Sequence, residues 1–302
     1  MILELPGYFG WFAFCFGAII GSFLNVVVWR VPRGMSLNTP PSTCPNCGHR
    51  ILPWENIPII SWLCLRGKCS GCHKPISWKY PAGEAAVGVL FWLIWRRVQI
   101  EMLPLETLLG CWWLAGAILS LARIDFERHV LPNLVTYSGL IAALLFAVVL
   151  PLGRPALFAP GLLHSGAIVC GKLLQMIYTA VPNTLGIRLA ATADCVTGAA
   201  LGALIVAIVR YLGGLYLRRL KRRGEDNVPD EAMGLGDLKM MTMIGAFLGV
   251  DAVIYITAVG SLLACVWSLI FRGIAPQKVS LYELPFAPFV AIPTLVWLIC
   301  WD

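Results

Sequence analysis

The sequence predicts an all-α polytopic membrane protein with about eight transmembrane helices and a cysteine-rich cytoplasmic loop between the first two. Two observations predict this class. Hydrophobic residues make up 59% of the 302 residues and charged residues only 13%, more apolar surface than a soluble domain of this size needs. Uncharged runs of roughly 20 residues, about the length that crosses a bilayer core, also recur along the chain. Lipid is therefore the expected solvent for most of this protein.

The predicted spans follow these runs in chain order. The four longest uncharged runs are Tyr8–Trp29, Leu134–Gly153, Ala252–Phe271 and Leu284–Trp301. Shorter candidates lie near Tyr80–Val98, Leu103–Ala122, Cys195–Leu217 and Leu238–Val250. Together these segments predict eight crossings, of which the sixth, at 238–250, is the shortest.

Charge around the first run predicts the orientation of the chain. Glu4 and no basic residue precede this run, whereas Arg30 and Arg33 follow it, a pattern that does not fit a cleavable signal peptide. By the positive-inside rule, the N-terminus is expected outside and the 30–80 loop in the cytoplasm. With eight crossings, most of the 23 Lys and Arg residues fall on the Arg30 side. The net charge of +7 therefore reflects membrane orientation, and no nucleic-acid partner is expected.

We expect three parts in the chain. Residues 1–30 are the first transmembrane helix, 31–80 a cytoplasmic zinc-binding loop, and 81–302 a transmembrane bundle with an atypical segment at 151–193. This last segment contains four prolines and a largely apolar centre. It fits an extra crossing, a re-entrant hairpin or a surface-lying amphipathic helix. We expect no net crossing, because one more would place the basic block 218–223 outside.

The expectation of zinc rests on two matched cysteine pairs in the 31–80 loop. Cys44 and Cys47 form one CxxC pair, and Cys69 and Cys72 form a second. Four thiolates with this spacing can close a tetrahedral structural zinc site, each pair lying on a tight turn. The alternative is a set of unpaired buried or redox-active cysteines. Cys64 falls outside the spacing and is not expected to be a ligand.

Other residues of this loop carry secondary expectations. Gly48 and Gly71 are expected to supply the permissive backbone that the two turns require. Because four thiolates already complete the shell, His49 and His73 are expected to be exposed.

Few acidic residues lie at membrane depth or at helix ends, and each is costly enough there to suggest a function. Asp125 ends the third predicted span and Asp237 begins the sixth, which places both at the cytoplasmic edge of the bundle. Two carboxylates that meet at such a boundary can share a proton, one acting as an acid while the other activates water. The alternative is two unrelated helix-end acids. Asp194 and Asp251 are expected to be unremarkable residues at the surface or in a turn.

The motifs around these aspartates resemble those of the type IV prepilin leader peptidases, bacterial inner-membrane aspartic proteases of the GxGD type. Residues 234–239, GLGDLK, are similar to the family's GxGDxK signature, and Asp125 followed by Pro132-Asn133 is similar to its other catalytic motif. Further matching positions are Gly21–Asn25, Arg30–Pro32, Glu55–Pro58, Ser61, Ile76–Ser77, Tyr80–Pro81, Glu84 and Pro285–Phe289. The match covers 1–150 and 195–302, so 151–193 departs from the family.

The resemblance implies an aspartic endopeptidase that cleaves basic leader peptides from prepilins and pseudopilins after a glycine, at the cytoplasmic face. Asp125 and Asp237 would be the catalytic pair, with Gly234, Gly236, Lys239 and Glu84 in supporting roles. Family members with the cysteine loop generally also methylate the new N-terminus from S-adenosylmethionine. We assign no residues to that methyl donor, because the sequence contains no glycine-rich nucleotide fingerprint.

Two other functions fit parts of the pattern. In a proton-coupled transporter the acids would serve as proton relays, although transporter sites lie near the midplane and these acids lie at an edge. In a non-catalytic scaffold the zinc loop would bind an assembly partner. Lys239 is open to two interpretations as well: it orients the substrate or tunes the pair, or it is a positive-inside anchor.

The linker before Asp237 suggests how a substrate could be attracted. Four acidic residues lie there, on the side where a basic leader would arrive: Glu225, Asp226, Asp230 and Glu231. They are interpreted either as an electrostatic attractor for the leader or as a solvated segment that balances the basic block 218–223.

Overall fold

A computed structural model describes residues 7–151, 184–223, 231–274 and 285–300. The described residues form helices and two isolated β-bridges. The helices are α1 (Phe9–Arg30), α2 (Ile60–Cys64), α3 (Lys79–Ile100), α4 (Glu106–Arg128), α5 (Asn133–Val148), α6 (Thr184–Arg222), α7 (Leu235–Ile274) and α8 (Ala287–Cys300). Short 3-10 turns occupy Val31–Arg33 and Pro53–Asn56. The chain divides into two compact units, Met1–Leu103 and Pro104–Asp302.

Four of the described helices are long and apolar enough to cross a membrane. They are Phe9–Arg33, Glu106–Arg128, Leu185–Arg222 and Leu235–Ile270. Two shorter apolar helices, Asn133–Val148 and Ala287–Cys300, correspond to the fourth and eighth predicted spans. Helix α3 lies at the second predicted span but is less apolar, because it carries Lys79, Glu84, Arg96 and Arg97. The count of eight crossings therefore stays a prediction.

In the first unit, α1 and α3 pack as an antiparallel pair through glycines. A Cβ atom on Gly17 would lie 2.8 Å from the carbonyl oxygen of Val87, and one on Gly21 would lie 2.9 Å from the Cα of Glu84. Gly88 of α3 lies equally close to Phe14 of α1. Small residues let two helix backbones approach closely, which is how membrane helices gain packing energy without a hydrophobic driving force.

In the second unit, α6 packs antiparallel against the first half of α7. Gly198 and Gly245 face each other so closely that a Cβ on either would overlap the other's carbonyl group. One turn along α6, Gly202 lies in the same way against the backbone of Met241. This contact aligns the end of α6 with the segment that leads into Asp237.

Helix α7 is broken at Gly249, which has φ 78° and ψ −172°. The break divides residues 235–274 into two helical halves and lies beside the boundary between the predicted spans 238–250 and 252–271. The second half packs on α8, where the rings of Tyr255 and Trp297 lie 5.3 Å apart and those of Trp267 and Phe289 lie 6.0 Å apart.

Asp194 does not lie at the surface, and the expectation that it begins a span is wrong. Its side chain is only 1% exposed, and a Cβ on Gly249 would lie 2.8 Å from its Oδ1 atom. The reason is that α6 already begins at Thr184, so residue 194 lies inside the helix on the face that packs against α7. Residues 184–193 of the atypical segment are helical, and residues 152–183 lie outside the described part of the chain.

Candidate active site and metal centre

Asp125 lies in the last turn of α4 and is buried, with 6% of its surface exposed. The helix ends at His129, which adopts the left-handed conformation (φ 54°) and donates its backbone N–H to the Asp125 carbonyl at 2.8 Å. The side chain of Asp125 is held from far along the sequence. The backbone N–H of Ala287, the first residue of α8, donates to its Oδ2 atom at 2.9 Å. One carboxylate oxygen is therefore fixed by the N-terminus of another helix.

Asp237 lies in the first turn of α7 and is half-buried. Its Oδ2 atom accepts a hydrogen bond from the backbone N–H of Gly234 at 3.2 Å. Gly234 directly precedes the helix, so Asp237 occupies the third helical position and caps the helix in the way that a capping-box acid does. The favourable interaction with the helix dipole offsets part of the cost of placing an acid here.

The structure brings Asp125 and Asp237 together. The chain segments beside them are in direct contact: Lys239, two residues after Asp237, binds Asn133 at the start of α5 at 2.7 Å. The loop between α4 and α5 also meets the first turn of α7, where a Cβ on Gly236 would lie 2.8 Å from the Cβ of Leu131. Gly236 therefore allows a close contact within the protein. Gly234 is exposed, and the nearest side-chain atom to a Cβ placed on it would be Oδ2 of Asp237. The outer face of Gly234 is therefore accessible.

Lys239 bridges two helices beside the aspartates. Its Nζ atom donates to the Oδ1 atom of Asn133 at 2.7 Å and lies 5.1 Å from the ring centroid of Tyr137. Asn133 is the first residue of α5, so the contact ties the start of α5 to the first turn of α7.

The four predicted zinc ligands converge in the first unit. The sulfur atoms of Cys44, Cys47, Cys69 and Cys72 all lie within 4.8 Å of one another. Two of the separations are 3.9 Å (Cys44 to Cys72) and 4.0 Å (Cys47 to Cys69). A tetrahedral zinc with Zn–S bonds of about 2.3 Å requires sulfurs about 3.8 Å apart, so the cluster fits the metal. Cys64 is exposed and lies outside the cluster.

The two cysteine pairs lie on similar turns, each closed by a β-bridge, Thr43 with Arg50 and Lys68 with Pro75. The first turn has Gly48 in the left-handed conformation (φ 74°), as expected. In the second turn the equivalent residue is His73 (φ 56°) and not Gly71, so that expectation is wrong.

Gly71 allows the two turns to pack closely against each other. A Cβ on Gly71 would lie 3.1 Å from the His49 side chain, which packs against it. His49 is also not exposed as expected: its side chain is 32% accessible, and its Nε2 atom lies 3.0 Å from both Glu55 Oε2 and Ser70 Oγ. His49 therefore links the first turn to the second.

Hydrogen bonds set the electrostatics of the four-cysteine cluster. Backbone N–H groups of Asn46 and Cys47 lower the pKa of Cys44 to about 6, which favours the thiolate that binds a metal. The backbone of His49 lowers the pKa of Cys47, but burial and the other thiols outweigh it and raise that pKa to about 11. A bound cation offsets the rise in the pKa of Cys47, because it stabilises every thiolate.

Glu55 is ionised in this network. The backbone N–H of Leu52, then Ser70 and His49, lower the pKa of Glu55 to about 2. The carboxylate can therefore accept the contacts that hold the two turns together throughout the physiological pH range.

Glu84 is buried in the first unit, where its Oε2 atom accepts the backbone N–H of Ile59 at 2.8 Å. Ile59 has φ 63°, an unusual value for a β-branched residue, directly before α2. Glu84 therefore anchors the middle of the 31–80 loop, between the two cysteine pairs, to α3.

Comparison with known proteins finds two family models that match this chain. The model of the bacterial peptidase A24 N-terminal domain matches residues 15–98, and that of the type IV leader peptidase family matches residues 108–269. The chain belongs to the type IV leader peptidase family. The second match contains Asp125, Lys239 and Asp237, and the first contains all four clustered cysteines. Family membership and the apolar helices together identify a membrane protein.

Three curated relatives of this leader peptidase family member are each named prepilin leader peptidase/N-methyltransferase. The one from Myxococcus xanthus is 34% identical over 81% of this chain and 59% of the relative. The one from Stutzerimonas stutzeri is 30% identical over 96% of this chain and 90% of the relative, and the one from Pseudomonas aeruginosa is 29% identical over 93% and 88%. The search of solved structures gave no match.

Some residues of the site escaped the sequence analysis. The Ala287 N–H could not be identified as a partner of Asp125, although the motif at 285–289 marked the region. Arg210 lies within the fifth predicted span, and it contacts the segment directly before Asp237. An arginine within an apolar span was the available signal.

Proposed function

We propose that this protein cleaves the leader from type IV prepilins and pseudopilins after a glycine and methylates the new N-terminus. The observation that supports the peptidase activity is the pair Asp125 and Asp237, two carboxylates at the ends of α4 and α7, with Leu131 and Gly236 beside them in contact. In each residue one oxygen is held by a backbone N–H, which leaves the other oxygen for a water molecule.

The reaction proposed for this pair is general acid–base hydrolysis. Two neighbouring carboxylates share one proton, because both cannot easily be ionised at close range. The ionised partner takes a proton from water, which attacks the scissile carbonyl carbon, and the protonated partner donates its proton to the departing amine. The fixed oxygens keep both groups in place during this exchange.

We propose a structural zinc ion bound by Cys44, Cys47, Cys69 and Cys72. Four thiolates leave no open coordination position, so the metal stabilises the loop and takes no part in the hydrolysis. Methylation of the new amine uses S-adenosylmethionine, which supplies the methyl group.

The proposed location is the bacterial inner membrane, with the N-terminus outside and the aspartates at the cytoplasmic face. The positive-inside distribution of Lys and Arg supports this orientation. In this orientation a basic leader arrives near the acidic linker. Of the four acidic residues of the linker, Glu231 belongs to the described residues, and Glu225, Asp226 and Asp230 lie outside them. Neither the transporter nor the scaffold is supported by the family relationship.

Cleavage of a prepilin by the purified protein tests the proposal. Asp125→Asn and Asp237→Asn keep the shape of the side chain but remove the ionisable group, so each is expected to abolish cleavage. The double variant is expected to be no worse than either single variant, because coupled catalytic groups are not additive.

Glu127→Gln is the matched control, because Glu127 is an exposed acid on the same helix as Asp125. It is expected to cleave at the wild-type rate. Asp251→Asn does not serve as a control, because Asp251 lies within α7 and not in a turn as expected, and its Oδ1 atom is buried. Asp194→Asn is unsuitable because Asp194 is buried at the break of α7. Near-normal cleavage by Asp237→Asn would show that the aspartates are not the catalytic pair.

A further inference from the structure

Arg210 is a half-buried arginine of α6 whose guanidinium points at the segment before Asp237. Its Nη1 atom donates to the carbonyl oxygen of Met233 at 2.8 Å, and its Nη2 atom lies 2.7 Å from Oε1 of Glu231. A basic residue within an apolar span is costly, which makes such a position a candidate for function.

The bond to Met233 involves the same peptide group that holds Asp237. The carbonyl of Met233 and the N–H of Gly234 belong to one planar trans peptide unit, and this N–H donates to Asp237 Oδ2 at 3.2 Å. Arg210 and Asp237 therefore bind opposite sides of a single peptide bond. Hydrogen bonds in such a chain polarise one another, so a cation on the carbonyl strengthens the N–H as a donor.

Packing around this peptide fixes its orientation. Gly213, one turn after Arg210 on α6, lies directly against Ala232, and a side chain there would overlap it. The segment 231–233 therefore lies against α6, and the planar peptide has little freedom to rotate while Arg210 holds its carbonyl group.

We propose that Arg210 is a positioning residue for Asp237, acting through the Met233–Gly234 peptide bond. The inference rests on the proposed peptidase activity. Arg210 orients and polarises the N–H that fixes one carboxylate oxygen, so that the other oxygen faces the shared water. The ion pair with Glu231 is secondary, because that carboxylate is largely exposed and an exposed pair contributes little.

Cleavage kinetics of a prepilin by the full-length protein in detergent test the inference. Arg210→Met keeps the apolar stem but removes the donor, and it is expected to lower kcat about tenfold or more while KM changes less than about threefold. Glu231→Gln, which keeps the Met233 bond, is expected to lower kcat less than about threefold. The control Arg219→Met removes an exposed arginine of the same helix and is expected to match the wild type.

Two further measurements separate positioning from loss of fold. Zinc content and thermal unfolding of Arg210→Met are expected to match the wild type. If Arg210→Met does not accumulate in the membrane, Arg210→Gln replaces it, because its shorter side chain does not reach the Met233 carbonyl; the same fall in kcat is expected.

Three outcomes contradict the inference. The first is a folded Arg210→Met protein whose kcat equals that of the wild type. The peptidase proposal then still stands, because the wild type cleaves. Another is an equal loss of kcat in Glu231→Gln and Arg210→Met, which makes the ion pair the important contact. The third is a wild-type protein that cleaves no prepilin, which rejects the proposed function as well.

Discussion

Both proposed catalytic carboxylates are fixed by N–H groups at helix N-termini. The first N–H groups of a helix have no partner within it and carry the positive end of the helix dipole, so they suit a carboxylate. Asp237 uses Gly234 at the start of its own helix, whereas Asp125 uses Ala287 at the start of α8. The two aspartates are therefore held in the same chemical way by different parts of the fold.

The Ala287 contact gives a prediction at the residue scale. Ala287→Pro removes the N–H that binds Asp125, while proline is well tolerated at the first position of a helix. We expect kcat for prepilin cleavage to fall about tenfold, because a hydrogen bond to a charged group is lost. Ala287→Ser retains the N–H and is expected to stay close to wild type. Equal activity of the two variants would contradict a role for this contact.

At the scale of elements, the site depends on how helix ends are joined. Lys239 connects the first turn of α7 to Asn133 at the start of α5, and Gly236 allows Leu131 to approach the same turn. Together these contacts hold the loop between α4 and α5, and the start of α5, against the first turn of α7, which carries Asp237.

A double-mutant cycle measures the connection between α5 and α7. If Lys239 and Asn133 interact as observed, the free energies of unfolding of Lys239→Met and Asn133→Ala are not additive, with a coupling of about 1 kcal/mol. Unfolding in mixed micelles provides the measurement. A coupling of zero would indicate that Lys239 is only a positive-inside anchor.

The break in α7 gives a second prediction at this scale. Gly249→Ala is expected to destabilise the protein by about 1–2 kcal/mol, because the backbone at φ 78° and ψ −172° is a conformation that only glycine adopts readily. Its Cβ would also crowd Asp194 Oδ1 at 2.8 Å. The same unfolding measurement tests it, and Gly214→Ala in α6 is the control: no atom would contact its Cβ within 4 Å, and its stability should be equal or higher. An unchanged stability for Gly249→Ala would contradict the strain argument.

At the scale of the whole molecule, the described chain combines an apolar helical scaffold with a loop that carries a cluster of four cysteines. The first unit contains the cysteine cluster and Glu84, and the second contains Asp125, Asp237, Lys239 and Arg210. Each unit thus has its own polar centre in an otherwise apolar helical protein.

Metal analysis tests the loop. The purified protein is expected to contain one zinc ion per chain, and Cys47→Ser is expected to lose it because one of four ligands is removed. Cys64→Ser is the matched control in the same loop and is expected to keep the metal. Equal zinc loss in both variants, or none in either, would reject the assignment.

The sequence by itself determined the features that are local along the chain. Apolar runs identified the helices, CxxC spacing identified the cysteine cluster, and the GLGDLK and Asp125 motifs identified the family and the acids that meet. Hydropathy and spacing report on such features because they depend on neighbouring residues.

Only the tertiary structure decided which groups hold the site together. The contact between Ala287 and Asp125 spans 162 positions, and the contact between Arg210 and Met233 depends on the rotation of α6 against the next segment. The burial of Asp194 depends on the same packing. The rotation of a helix is set by the side chains that pack between helices, here largely glycines, and an almost uniformly apolar helix carries no periodic signal of which face is buried.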